Sequence, residues 1–132
     1  MKFKYKRYGP GLLRPVIPIE LIYKDRAVPF EVLVDSGADF CIFHGQLAEV
    51  LGINISEGKE ERVYGITGIE EPYYVHPVTL VVGGWKYQIE AGFLPKMAST
   101  AYGVVGQKGF FDLFLVKFDL LKEEIELKER KT

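Results

Sequence analysis

Asp35, Ser36, Gly37 and Ala38 follow the apolar run Val32-Leu33-Val34, so a carboxylate and a hydroxyl stand where a strand-like segment stops. An acid beside such a run costs free energy unless something pairs it or uses it. Gly37 lets the backbone turn sharply, and Ser36 supplies a hydrogen-bonding hydroxyl. Asp35 is therefore the candidate catalytic group, suited to general acid–base work on a bound molecule. Cys41 and His44 raise a rival chemistry, a thiol nucleophile or a metal pair. With one cysteine and two histidines in the chain, a buried thiol and a helix-start residue are the expected roles. His76 is expected to pack in a hairpin or lie at the surface, and the acidic run Glu57 to Glu61 to be a solvated face.

Period-two patterns supply the frame for these residues. Ile17, Ile19, Leu21 and Tyr23 alternate within residues 16–24, and Val28, Phe30, Val32 and Val34 alternate after the polar turn Lys24-Asp25-Arg26-Ala27. This predicts a hairpin whose second arm runs into Asp35, with Pro18 at an edge or where no N–H is needed. Asp39 to Phe43 reads as a further strand, and Gln46 to Leu51 as a short helix ended by Gly52. Tyr64-Gly65-Ile66-Thr67-Gly68 sits between two strand-like arms and has the composition of a hairpin tip able to lie over a ligand. Val78–Val82 and Trp85–Ala91 form a hairpin around Gly83-Gly84, with the Trp85, Tyr87, Ile89, Ala91 stripe expected in the core. Residues 95–102 form a loop, Gly103 to Gly106 another apolar run, and Gln107 to Phe114 a short helix. Strands at 115–119 and 124–128 complete the chain.

Composition narrows the class. The 132 residues are 48% hydrophobic and 27% charged, as expected for one globular domain, and 14% aromatic with 14 glycines, which favours β structure. With 17 basic against 18 acidic side chains, the net charge of −1 gives no general attraction for nucleic acid. No run approaches the ~18 apolar residues of a membrane span. Lys2, Lys4, Lys6 and Arg7 precede Gly9-Pro10-Gly11, where a secretory leader would need an apolar core. The single Cys41 fits a reducing compartment, so the cytoplasm is the expected location, and the basic start is expected to be a frayed, solvated terminus.

The strand into Asp35-Ser36-Gly37-Ala38, the hairpin around Tyr64-Gly65-Ile66-Thr67-Gly68, and Val104-Val105-Gly106 leading to Phe110-Phe111-Asp112 come in an order that resembles the retroviral-type (retropepsin-like) aspartic proteases. The resemblance spans residues 16–128, leaving 1–15 as an N-terminal extension. It implies an all-β, closed barrel-like acid protease fold with one or two short helices and one lobe per chain. The chain holds the Asp-Ser-Gly triplet once, and the resemblance implies two copies per site, so a homodimer with its two Asp35 residues on the two-fold axis is expected.

Two carboxylates held together in a poorly solvated cleft cannot both ionise, so one proton is shared between them. The ionised Asp35 then activates a water while the protonated one polarises the peptide carbonyl, with no metal or cofactor. The resemblance assigns Ser36, Gly37 and Ala38 to the active-site loop and dimer lock. It assigns Asp39, Tyr64, Gly65, Ile66, Thr67, Gly68, Val104 and Gly106 to substrate binding. Val34, Ile42, Ile66 and Val104 are expected to line apolar pockets. The basic partner that the family gives to Asp39 is replaced by Gln107, with Lys108 one residue late. The partners implied are a second copy and a peptide or protein substrate. The alternative is a dimeric peptide-binding or scaffold module of the same fold with little proteolytic activity.

Overall fold

The computed structural model describes residues 1–98 and 101–130. Among the described residues, twelve strands and one α-helix follow in order: β1 (Lys2–Lys4), β2 (Lys6–Gly9), β3 (Leu12–Arg14), β4 (Val16–Tyr23), β5 (Arg26–Val34), β6 (Ile42–His44), α1 (Gly45–Leu51), β7 (Lys59–Tyr64), β8 (Glu70–Val82), β9 (Trp85–Leu94), β10 (Gly103–Val105), β11 (Phe114–Asp119) and β12 (Glu124–Glu129). A 3-10 turn lies at Ile55–Glu57. Among the described residues, no helix is long and apolar enough to cross a membrane.

The main sheet runs β4-β5-β10-β6-β9-β8-β7, and β8 also pairs with β4, closing six of the strands into a ring. The alternating residues fill it: Ile17, Leu21, Val32, Leu80, Ala91 and Phe93 are fully buried. The expected hairpin is β4–β5, in register from Val16↔Leu33 to Tyr23↔Arg26. Its turn is tighter than expected, because Lys24 takes a left-handed conformation (φ 54°). The Gly83-Gly84 hairpin is also present, both glycines having positive φ as a two-residue turn requires. Trp85 is a correction: it is 65% exposed. The inner face is fully covered only from Ile89 onward, Tyr87 being half-buried against Phe114 at 5.0 Å, so Trp85 lies past the end of the core.

Two further expectations change. The N-terminus is not frayed. Residues 2–4 pair with β12, Phe3 beside Ile125, and the Leu127 N–H donates to the Met1 carbonyl at 2.8 Å. Lys2–Glu126 and Lys4–Glu124 ion pairs flank that contact, but exposed pairs add little, and the anchor is Phe3 packed on the core. The segment expected as a helix at 107–114 is a run of turns. Gly109 sits at φ 99° with its N–H bound by the Asp112 carboxylate at 3.0 Å, which breaks any helical path. Phe110 and Phe114 are nonetheless fully buried, 5.1 Å apart. Of the loop expected at 95–102, residues 99 and 100 lie outside the described residues.

The helix forms as its signals dictate. Gly52 closes it in the left-handed conformation, and His44 caps its start, Nδ1 accepting from the Leu47 N–H at 3.2 Å. Burial lowers the His44 pKa from the ordinary histidine value. The unfolded chain therefore takes up a proton first as the pH drops below about 6.5. The stability given by the neutral cap is complete above that value and is lost as pH falls through the lower folded pKa. His44→Ala should cost about 1 kcal/mol at neutral pH. His44→Asn, a capping residue that does not titrate, should flatten the decline in stability between about pH 7 and pH 5. Urea denaturation across that range checks this, and an unchanged slope in the Asn variant would refute it.

Candidate active site

β5 delivers Asp35 to the end of the ring, and β10 lies parallel beside it, Val105 opposite Val34. The Asp35 N–H donates to the Val105 carbonyl at 3.1 Å, and the Asp35 carbonyl accepts from Ala38 N–H at 3.1 Å. Oδ1 of Asp35 accepts from the Gly37 N–H at 2.9 Å. A carboxylate bonded to the backbone two residues on defines an Asx turn, which fixes the side chain without a second element. Asp35 is half-buried, while Ser36 and Gly37 are exposed at the loop's crest.

A second set of contacts clamps this loop from residues 106–108. The Gln107 N–H donates to the Ala38 carbonyl at 2.8 Å and the Lys108 N–H to the Asp39 carbonyl at 3.0 Å. Nε2 of Gln107 donates to the Ser36 carbonyl at 3.1 Å. Gly106 makes the approach possible, since a Cβ there would lie 2.4 Å from the Ala38 oxygen and 2.5 Å from that of Phe40. Gly106 thus supports the loop from behind and does not line the cavity.

The hairpin β7–β8 pairs from Lys59↔Val75 to Tyr64↔Glu70 and ends in a tip at 65–69, where the Gly68 N–H donates to the Gly65 carbonyl at 2.9 Å. Between hairpin and loop lies a cavity of about 360 Å³. Gly37, Ala38, Asp39 and Phe40 form its loop side, Arg62, Val63 and Tyr64 its hairpin side, and Ile42, Tyr73 and Val104 the remainder. Past the Phe40–Tyr73 ring pair (centroids 6.2 Å apart) a further cavity of about 450 Å³ continues along the hairpin's base, between Lys59, Glu61, Glu90 and Lys108. Phe40 and Tyr73 line both cavities, which together follow the hairpin as a groove in two parts.

Of the residues singled out from sequence, Gly37, Ala38, Asp39, Ile42, Tyr64 and Val104 share this cavity, and Asp35 and Ser36 are not in its lining. Gly65, Ile66, Thr67 and Gly68 form the exposed tip beyond it. Val34, expected to line a pocket, is only 2% exposed and packs in the core, while Ile66 stands in solvent at the hairpin tip. Phe40, Arg62, Val63 and Tyr73 were missed, and Gln107 was noted only as standing where a basic partner of Asp39 is expected. Val63 and Tyr73 share the inner face of a period-two hairpin and were findable. Arg62, held by Glu60 at 3.1 Å and Glu70 at 3.4 Å, was not.

Cys41 is fully buried, its Sγ donating to the Lys108 carbonyl at 3.3 Å, and burial pushes its thiol pKa up to about 12. A thiol so protonated is no nucleophile. His76 is buried, its Nε2 2.8 Å from the Ile55 carbonyl and its ring against Phe93, so it packs the hairpin. Among the described residues, no group of three or more His, Cys, Asp or Glu side chains is placed to hold a metal.

The geometry has counterparts. A family model described as "Aspartyl protease" matches residues 19–108. A retropepsin-like aspartic protease from Rickettsia conorii has a similar structure, with a TM-score of 0.65 at 16% identity over 96% of this chain and 88% of that one. The EIAV protease, solved with the inhibitor HBY-793, has a TM-score of 0.54 at 18% identity over 71% of this chain and 82% of that one. At such identities the likeness is one of fold. No curated protein matches the sequence significantly.

Proposed function

Because this chain belongs to the aspartyl protease family, we propose that it is an endopeptidase working as a homodimer, with one Asp35 from each subunit activating water between them. The observation that carries this reading is the Asp35 loop, fixed by β10 and its own Asx turn and opening on a groove roofed by a hairpin. The chain brings one such loop, and its crest, Ser36 and Gly37, is exposed, free to meet the same loop of a second copy about a two-fold axis. One carboxylate then takes a proton from water while the other, protonated, donates to the peptide carbonyl and later to the leaving amine. Residues 16–128 form the catalytic unit, with the N-terminal strands laid against it. The substrate is an extended peptide in the groove, its backbone met by Asp39 and its side chains by Ile42, Val63 and Val104. The hairpin tip, Gly65 to Gly68 around Ile66, closes over it and excludes water. The one buried, protonated cysteine suits a reducing cytoplasm.

Subunit mixing tests the shared site. Wild-type protein and Asp35→Asn protein, co-refolded in equal amounts at fixed total concentration, should cleave a peptide library at about a quarter of the wild-type rate, because mixed dimers are dead. Independent subunits would keep about half, and that result would defeat the shared-site mechanism.

A further inference from the structure

Ser36 C=O and Gly37 N–H belong to one planar peptide unit, and each end of it is held. At the carbonyl end, the side-chain amide of Gln107 donates at 3.1 Å. At the other, the N–H donates to Asp35 Oδ1 at 2.9 Å. Rotating that plane about its flanking bonds swings both ends together, because the peptide itself does not twist. A donor on the carbonyl also polarises the unit and makes its N–H a better donor. We propose that Gln107 is a positioning residue, aiming the Asp35 carboxylate through the Ser36–Gly37 peptide. This rests on the reading of Asp35 as the catalytic acid.

The neighbouring bonds make the side chain separable from the fold. Backbone N–H groups of Gln107 and Lys108 already dock residues 106–108 on Ala38 and Asp39, and the Gln107 carbonyl accepts from the Asp112 N–H at 3.0 Å. None of these involves the amide of the side chain, so it can be changed while the docking stays. Where the family resemblance leads one to expect a cation facing Asp39, this chain has a neutral amide turned to the carbonyl beside the catalytic acid.

The amide is a donor at every pH, whereas a carboxyl at the same place is a donor only while protonated. Gln107→Glu should therefore cleave peptides as the wild type does at acid pH. Its rate relative to wild type should fall about tenfold as the introduced carboxyl ionises, from about pH 4 upward. Ionisation removes the donor and sets a negative charge against a carbonyl oxygen. Gln107→Leu should be about tenfold slower in kcat at all pH values with KM within about twofold, since the groove is untouched. The charged neighbours are Asp35 and Asp39 on the loop and Lys108 and Asp112 on the Gln107 segment. These groups titrate in the wild type as well, so the readout is the ratio to wild type at each pH, and the uncharged Gln107→Leu variant separates loss of the donor from the effect of the new charge on them. A Leu variant within twofold of wild type, or a Glu variant at a constant fraction of wild type, overturns the proposal. If the wild type cleaves nothing, the catalytic reading fails, and the clamp is then judged by Tm alone. A gap between Gln107→Glu and wild type that widens from acid to neutral pH supports the clamp, and a constant gap overturns it.

Discussion

Asp35→Asn is expected to abolish peptide hydrolysis while leaving a folded dimer. The amide is nearly isosteric with the acid, and its oxygen can still accept from the Gly37 N–H that now binds Oδ1 at 2.9 Å. The loop's other bonds, Asp35 N–H to Val105 and Ala38 N–H to Asp35, involve only backbone and persist. What disappears is the group proposed to take the proton from water. Loss of one positioned general base typically costs about 10²- to 10⁴-fold. In a symmetric dimer the substitution removes base and acid together, so turnover should fall at least about 10³-fold, below ordinary detection. The measurement is kcat/KM on a peptide library at mildly acid pH, with light scattering and thermal melting of the same samples. Equal cleavage by the Asn variant would end the assignment. An inactive wild type that still binds peptides would instead favour a scaffold role.

The parts of this site that were legible in the sequence are those written locally. Val28 to Val34 alternate into Asp35, and the tip at Gly65–Gly68 lies between two alternating arms, so the loop and its roof could be placed from short-range pattern. Their mutual arrangement depends on pairings between distant segments. β10 settles beside β5 with Val104 against Leu33, and Gln107 reaches Ser36 across 71 positions; no local period encodes either. β1 is the instructive miss. Lys2, Phe3, Lys4, Tyr5, Lys6 does alternate, but the charges read as a solvated tail, because the acids that face them, Glu124 and Glu126, lie near the other end of the chain. Phe110 and Phe114 are spaced as on a helix and are buried as expected of one, yet Gly109 forces turns instead. Period sets which side chains go inward more firmly than it sets the backbone that carries them.

Gly106→Ala should be the most damaging small substitution away from the acid itself. The added Cβ would lie 2.4 Å from the Ala38 oxygen, 2.5 Å from the Phe40 oxygen and 2.9 Å from the Ala38 carbonyl carbon. All three are backbone atoms, so no side chain can swing away to relieve the clash. Either residues 38–40 move out by about an ångström or β10 slips, and the strain costs about 1–3 kcal/mol or more. The first choice breaks the bonds from Gln107 and Lys108 to Ala38 and Asp39. The second pulls Val105 from the Asp35 N–H. Both displace Asp35 relative to the groove, and an ångström of misplacement can cost about 10²-fold in rate. Activity should therefore fall further than the loss in folded population explains. Gly65→Ala is the matched comparison, because a Cβ there meets nothing within 4 Å, and its melting temperature should stay at the wild-type value. Denaturant titration with kcat/KM on both variants checks the pair. A Gly106→Ala protein of wild-type stability and rate would show that the Asp35 loop does not depend on this close backbone contact.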